Sequence, residues 1–174
     1  NSGMVYSPSH FTWMDTNYPA GTPREGYPVE IQALWYKALS LLGEITDDKK
    51  WQTLKDKVQE NFIELFWNKE RGYLSDCLHS KSGNAAGAEA DDALRSNQLF
   101  AVTLGLVEGE IAEAVLSSSE QLLIPGAIRS LADKPVEHKL PVYRNGEIIN
   151  DQSNPYWGNY HGDEDTRRKP AYHN

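Results

Sequence analysis

Apolar residues recur at three- and four-residue spacing in two consecutive stretches of this chain, separated by only a few positions. From Pro28, a favoured first position of a helix, Ile31, Leu34, Trp35, Ala38 and Leu42 repeat with the α-helical period, and Gly43 offers a stop. A second stretch begins near Asp47 and carries a stripe of Trp51, Leu54, Val58, Phe62 and Leu65 among Lys, Glu and Asp. So short a connection makes the two helices antiparallel neighbours. The rhythm returns later, with a nearly apolar helix from Leu94 to Leu106 and an amphipathic one from Gly109 to Leu123. The expected fold class is therefore all-α: two helical hairpins at about 27–66 and 93–124, with very little strand. Trp51, Leu54, Phe62, Leu99, Val102 and Leu106 are the expected core.

The remainder reads as loop. Pro8, Pro19, Gly21, Pro23 and Gly26 break up residues 1–26, and residues 68–93 hold no regular period. The region 125–174 is rich in Pro, Gly, Asn and Asp and shows no helical repeat. A structureless stretch of that length suits a loop on a larger body better than a self-contained domain. An apolar helix followed by an amphipathic one, twice, is the rhythm of a double-layered helical toroid, and such repeats need three or more units to close. Residues 1–174 are thus expected to be a fragment of one toroidal domain, partnered by the rest of it. The apolar helix is expected to keep an exposed patch until neighbours cover it.

Charge and composition exclude several classes. With a net charge of −8 over 174 residues, nucleic acid and anionic membrane surfaces are disfavoured partners. No apolar run approaches the roughly 18 residues of a membrane span. A neutral sugar remains compatible, and Trp 5 and Tyr 9 supply rings that could stack on one. Cys77 is the sole cysteine, which rules out an internal disulfide or a cysteine-rich zinc site and suits the cytoplasm. Gly-rich phosphate cradles and Gly-x-Ser-x-Gly elbows are absent. His161-Gly-Asp-Glu-Asp lacks the ligand spacing of a calcium loop, and His79 and His138 stand alone in loops, with surface positions expected. Neither a metal nor a cofactor is expected.

Chemistry concentrates in residues 10–42. Trp13 stands two residues before a carboxylate, Asp15; a cation, Arg24, and a second carboxylate, Glu30, follow. A glycosidase needs an acid to protonate the leaving oxygen, a carboxylate to activate water or attack carbon, and an aromatic surface for the ring. Composition alone favours plainer roles: Asp15 as a turn former, Glu30 as a charge at a helix N-terminus, Trp35 as core.

The wording of the segment goes further. TWMDTNYPAGTPREGYPVEIQALWYKAL resembles the signature of the C-terminal amylo-α-1,6-glucosidase domain of glycogen debranching enzymes. LRSNQLFAVTL, residues 94–104, is similar to that family's inner-helix motif, with Ser96 where proline is usual. Residues 160–174, ending RRKPAYHN, are similar to a third segment in the same order. The resemblance implies part of an (α/α)6 toroid that hydrolyses α-1,6-linked glucose stubs on a branched α-glucan by inversion. It implies Asp15 as general acid, with Trp13, Arg24 and Glu30 as sugar-contacting candidates. Arg95, Asn97, Gln98, Tyr172 and His173 form a second rank. The family's base is a glutamate downstream of the Ala-Tyr-His motif, so the chain alone is expected to be inactive; Glu108, Glu110, Glu113 and Glu120 sit in no such motif. Two alternatives stand beside this reading: a related toroidal glycosidase acting on another small glucoside, and a non-catalytic α-glucan-binding module.

Overall fold

The computed structural model describes residues 2–14, 23–139, 141, 143–148, 150–158 and 172–173. Asp15 and the His161-Gly-Asp-Glu-Asp segment lie outside them. A short strand, β1 (Gly26–Pro28), leads directly into α1 (Val29–Thr46). Pro28 is held at φ −67, and the first helical amide, that of Val29, donates to the carbonyl of Asp76 at 2.9 Å. The helix runs through Gly43 and ends at Asp47, in the left-handed conformation, whose amide returns to the Gly43 carbonyl at 3.1 Å. Gly43 serves packing instead: the position of its missing Cβ is 3.9 Å from Trp51 Cβ, so the two helices meet closely there. The Asp48 side chain then accepts from the Lys50 amide at 2.9 Å and starts α2 (Lys49–Phe66).

The first hairpin thus has the expected form, but α1 presents a different face. Its buried residues are Val29, Glu30, Gln32, Ala33 and Leu39, whereas Leu34 is 48% exposed. Polar anchoring sets this rotation. Gln32 exchanges hydrogen bonds with both backbone groups of Val5, at 2.8 and 2.9 Å, and Glu30 turns inward to an arginine. Leu34, Leu41 and Ile45 then form an exposed stripe along α1. On α2, Val58, Phe62 and Phe66 are buried, with the two phenyl rings stacked at 4.4 Å, while Trp51 and Leu54 are only half-buried.

The second hairpin is shorter than its apolar sequence predicts. Leu94 and Arg95 remain extended, a 3₁₀ turn covers Ser96–Gln98, and α3 is confined to Leu99–Thr103. Three backbone bonds explain the loss of helix at its ends. The Leu94 carbonyl accepts the Ala132 amide at 2.9 Å, and beyond Gly105, at φ 73, the amides of Leu106 and Val107 fold back on the Ala101 carbonyl. Leu106 is buried, and Leu99 and Val102 are half-buried. Helix α4 (Gly109–Ser119) follows and ends in a 3₁₀ turn at Glu120–Leu122.

The chain is also not all-α. Between the hairpins lie β2 (Trp67–Asn68), β3 (Tyr73–Leu74), β4 (Cys77–His79) and β5 (Glu89–Ala90). Antiparallel β1, β4 and β5 make a three-stranded sheet in the order β1-β4-β5, and β2 pairs with β3. After α4 come the small hairpins β6 (Leu123–Ile124) with β7 (Ala127–Ile128) and β8 (Tyr143–Arg144) with β9 (Glu147–Ile148). A parallel pair, β10 (Tyr156–Gly158) with β11 (Tyr172–His173), completes the set. Strands of two or three residues carry no alternation for a periodicity argument to detect. The main core joins Val29 and Ala33 of α1, Phe62 and Phe66 of α2, Leu74, Leu78, Ala101, Leu106 and Val115. Among the described residues no helix is long and apolar enough to cross a membrane.

Candidate functional site

The loop that carries the sequence motif is pinned at its neck. Ser7 and Gly26 exchange backbone hydrogen bonds of 2.7 and 3.0 Å, and the His10 amide donates to the Pro23 carbonyl at 3.0 Å. At Gly26, with φ 133, a Cβ would lie 2.1 Å from the Leu78 carbonyl oxygen, so only glycine lets β1 close on β4 there. His10 and Arg24, on the two sides of the neck, both hold left-handed backbone at φ 61 and φ 48. Such conformations cost roughly 1–3 kcal/mol in a non-glycine residue and persist only where surrounding contacts over-determine them.

For Arg24 those contacts are visible. Its guanidinium is 1% exposed and makes a bidentate pair with both carboxylate oxygens of Glu30, itself 3% exposed. Arg24 Nε donates to Asp76 Oδ2 at 2.8 Å, a second nitrogen reaches Asp76 Oδ1 and the Asp76 carbonyl at 3.2 Å, and the third donates to Thr12 Oγ1 at 3.2 Å. Burial opposes the charge, but Asp76 and Glu30 outweigh it and hold the Arg24 pKa above its ordinary value. Arg24 is therefore a permanent cation directed wholly at the protein.

Asp76 is the hub. Its carboxylate is 0% exposed and faces Arg24, Arg95 Nε at 3.3 Å and the Asn97 amide nitrogen, which donates to Oδ1 at 2.8 Å. Its backbone is fixed at both ends, since its carbonyl starts α1 and its amide donates to the Asp91 carbonyl at 3.1 Å. Two buried guanidiniums thus meet two buried carboxylates, an arrangement that tolerates desolvation because each charge has an opposite partner, hydrogen-bonded in the case of Arg24. Asn97 passes the order outward. Its Oδ1 accepts Trp13 Nε1 at 3.1 Å, and its amide nitrogen also contacts Met14 Sδ at 3.4 Å. Thr12, Trp13 and Met14, the three residues before Asp15, are thereby each fastened to the network, while the Trp13 indole remains 59% exposed.

The structure thus brings together Trp13, Arg24, Glu30, Arg95 and Asn97. Gln98 points elsewhere: it accepts the Leu74 amide at 3.0 Å and donates to Ser119 Oγ at 3.1 Å, bracing β3 against α4. Tyr172 and His173 supply the backbone of β11 beside β10. Asp76 was missed by sequence reading. A signal existed: an acid between the apolar pairs Tyr73-Leu74 and Cys77-Leu78 has to be buried with a partner.

A second polar cluster corrects the expectation that His79 and His138 are isolated at the surface. Their rings stack at 4.5 Å, and their side chains are only 19% and 13% exposed. His79 Nε2 lies 3.1 Å from the fully buried Asp91, and His138 Nδ1 lies 2.9 Å from Glu89.

A search among curated proteins found no match. Among solved structures the chain is similar to neutral trehalase Nth1 from Saccharomyces cerevisiae, with a TM-score of 0.52 and 15% identity over 73% of this chain. The chain covers 24% of that trehalase, whose fold is an (α/α)6 toroid, and at this identity the likeness concerns the fold alone. The family model described as Amylo-alpha-1,6-glucosidase matches residues 2–174. A match across nearly the whole sequence, on a fold shared with a toroidal glycosidase, establishes that this chain belongs to the amylo-α-1,6-glucosidase family.

Proposed function

We propose that the chain forms one wall of a glycoside hydrolase site that removes α-1,6-linked glucose from branch stubs of a glycogen-like glucan, with Asp15 as the general acid. The observation that carries this reading is the fastening of Thr12, Trp13 and Met14 to the buried Asp76 network. An acid must be held within hydrogen-bond reach of the glycosidic oxygen, and position contributes to catalysis as much as acidity. The half-exposed Trp13 ring, anchored by its nitrogen, offers a platform for the apolar face of a sugar. Arg24, Glu30, Arg95 and Asn97 act in this proposal by holding that platform, because their side chains face the protein interior.

Inversion needs a second carboxylate about 6.5–9.5 Å from the acid, with the attacking water between them. Asp76 and Glu30 do not suit this role, being buried and bound to Arg24. In our reading the base comes from a part of the toroid outside these 174 residues, and the setting is the cytoplasm. The test is Asp15→Asn in the full-length protein, assayed on a phosphorylase limit dextrin. Loss of general acid catalysis lowers kcat about 10²–10⁴-fold with KM little changed, and less on a substrate with a good leaving group. Near-normal turnover by the variant would remove Asp15 from the role. Turnover of small glucosides but not of the limit dextrin would reassign the substrate, and binding without hydrolysis by the unaltered protein would make the site a glucan-binding module.

A further inference from the structure

We propose that His79, Asp91, His138 and Glu89 form a binding site for one divalent transition-metal ion, with zinc the best fit. The site lies apart from the Trp13 loop and does not depend on the proposed function. The ring and carboxylate donor atoms of His79, Asp91 and His138 lie within 4.8 Å of one another. Glu89 lies outside that group but places an oxygen 2.9 Å from His138 Nδ1, from where binding would draw it in as the fourth donor.

The scaffold around these donors is built. His79 ends β4 opposite Glu89 of β5 in the antiparallel register, which brings one imidazole and one carboxylate to the same edge. Asp91 follows β5 and is fully buried; its Oδ1 accepts the Ala93 amide at 2.9 Å, which turns Oδ2 towards His79. His138 arrives from a separate coil, and a carboxylate fixes its delivery. Asp92 accepts the amides of Glu137, at 2.9 and 3.0 Å, and of His138, at 2.8 Å, while Arg71 bridges Asp92 and Glu137 at 3.1 and 2.6 Å. Outer partners that orient ligands in this way are characteristic of metal sites.

One nitrogen of the cluster is left without a directed partner. His138 Nδ1 is buried, and although Glu89 is close, no aligned hydrogen bond joins them. An ion would satisfy that nitrogen. Two imidazoles and two carboxylates are a mixed nitrogen and oxygen set, suited to zinc and its transition-metal neighbours and unsuited to calcium or magnesium, which prefer oxygen alone. With neutral imidazoles the set carries two negative charges, which a divalent ion balances. A cleft of about 360 Å³ lined by Glu89, Asp92, Glu137 and His138 reaches the cluster from the Glu89 and His138 side.

Binding requires one movement. The rings are parallel to within 9°, and a shared ion must lie in the plane of both, so the stack has to open. His138, carried by the coil, tilts, and the donors draw in to the roughly 2.0–2.2 Å bonds of a four-coordinate zinc site. The ion then staples the coil around His138 to the β4–β5 pair. With Glu89 drawn in, all four positions are filled by protein, so the role is structural.

The experiment uses the full-length protein, stripped with a chelator and titrated with zinc alone by calorimetry at neutral pH. The expected result is one saturable zinc ion that is lost or weakened at least about tenfold in His79→Ala and in His138→Ala. The control His10→Ala, outside the cluster, leaves binding unchanged. Glu89→Gln, at a side chain 73% exposed, removes a ligand without threatening the fold and is expected to weaken binding in the same direction. Cobalt in place of zinc should give the ligand-field absorption of a four-coordinate site. Absence of zinc uptake, zinc binding indifferent to all three ligand substitutions, or equal competition by calcium would each overturn the proposal.

Discussion

Replacing Asp76 by asparagine tests the central claim about how the site is held. The carboxylate is 0% exposed, and it faces the guanidiniums of Arg24 and Arg95, each 1% exposed. Asparagine keeps the shape but removes one of the two negative charges, leaving Glu30 alone against two buried cations. Its amide nitrogen also has to face Arg24 Nε or the Asn97 amide, so a donor meets a donor. Removing one partner of a buried ion pair costs about 3–5 kcal/mol, against a total stability of roughly 5–15 kcal/mol. At roughly 2–4 °C per kcal/mol for a cooperative unit of 150–250 residues, and less for a larger toroid, the unfolding midpoint should fall by up to about 6–20 °C. The assay is thermal unfolding of the full-length protein followed by circular dichroism. The comparison is Asp48→Asn, the same chemical change at an exposed helix cap that asparagine serves equally well. If Asp76→Asn lowers the midpoint no more than Asp48→Asn does, water screens the network and the buried-hub argument fails.

Three further outcomes follow from geometry described above. Gly26→Ala places a Cβ 2.1 Å from the Leu78 carbonyl oxygen in a left-handed backbone, so β1 must leave β4; hydrogen exchange should show the Tyr27, Leu78 and Ser80 amides losing protection. Burial raises the Tyr73 pKa above 10.0, only partly offset by Arg71, and its hydroxyl donates to the Asp92 carbonyl at 2.9 Å. A group whose pKa is raised by folding contributes fully below its unfolded value and loses that contribution as pH rises through the folded one. Tyr73→Phe should therefore cost about 1 kcal/mol at neutral pH and flatten the decline in urea midpoint above pH about 10, and an unchanged alkaline slope would contradict this. Trp13→Ala should weaken glucan binding in the full-length protein while leaving the unfolding midpoint nearly unaltered, because the ring is 59% exposed.

The first hairpin was legible because α1 and α2 each run 18 residues, long enough for a period to emerge. The second was legible only in outline. Its apolar run predicts a helix to Leu106, yet long-range bonds from Ala132 to Leu94 and the left-handed turn at Gly105 hold α3 to five residues. Trp13, Arg24, Glu30, Arg95 and Asn97 could be singled out, but not what they do together. Their common partner, Asp76, stands 52 residues from Arg24, and no local pattern encodes a contact at that separation. The same limit hid the histidine stack, whose members lie far apart in sequence, one at the end of β4 and the other in a separate coil. Glu30 illustrates the competing forces well: first-turn acids are normally explained by the helix dipole, and here a buried arginine claims the side chain instead.

Cys77 lies next to the hub, in β4, with no exposed surface, and burial pushes its thiol pKa well above the ordinary value. Only a thiolate reacts readily with alkylating reagents, so the native side chain is doubly protected, by access and by protonation. Reaction must then await separation of β4 from β1 and β5, the same event that would release Asp76 from its arginines. Alkylation of this thiol becomes an intrinsic clock for opening of the site floor, needing no engineered label. Where opening is fast and reversible, its rate measures the free energy of that local event separately from global unfolding.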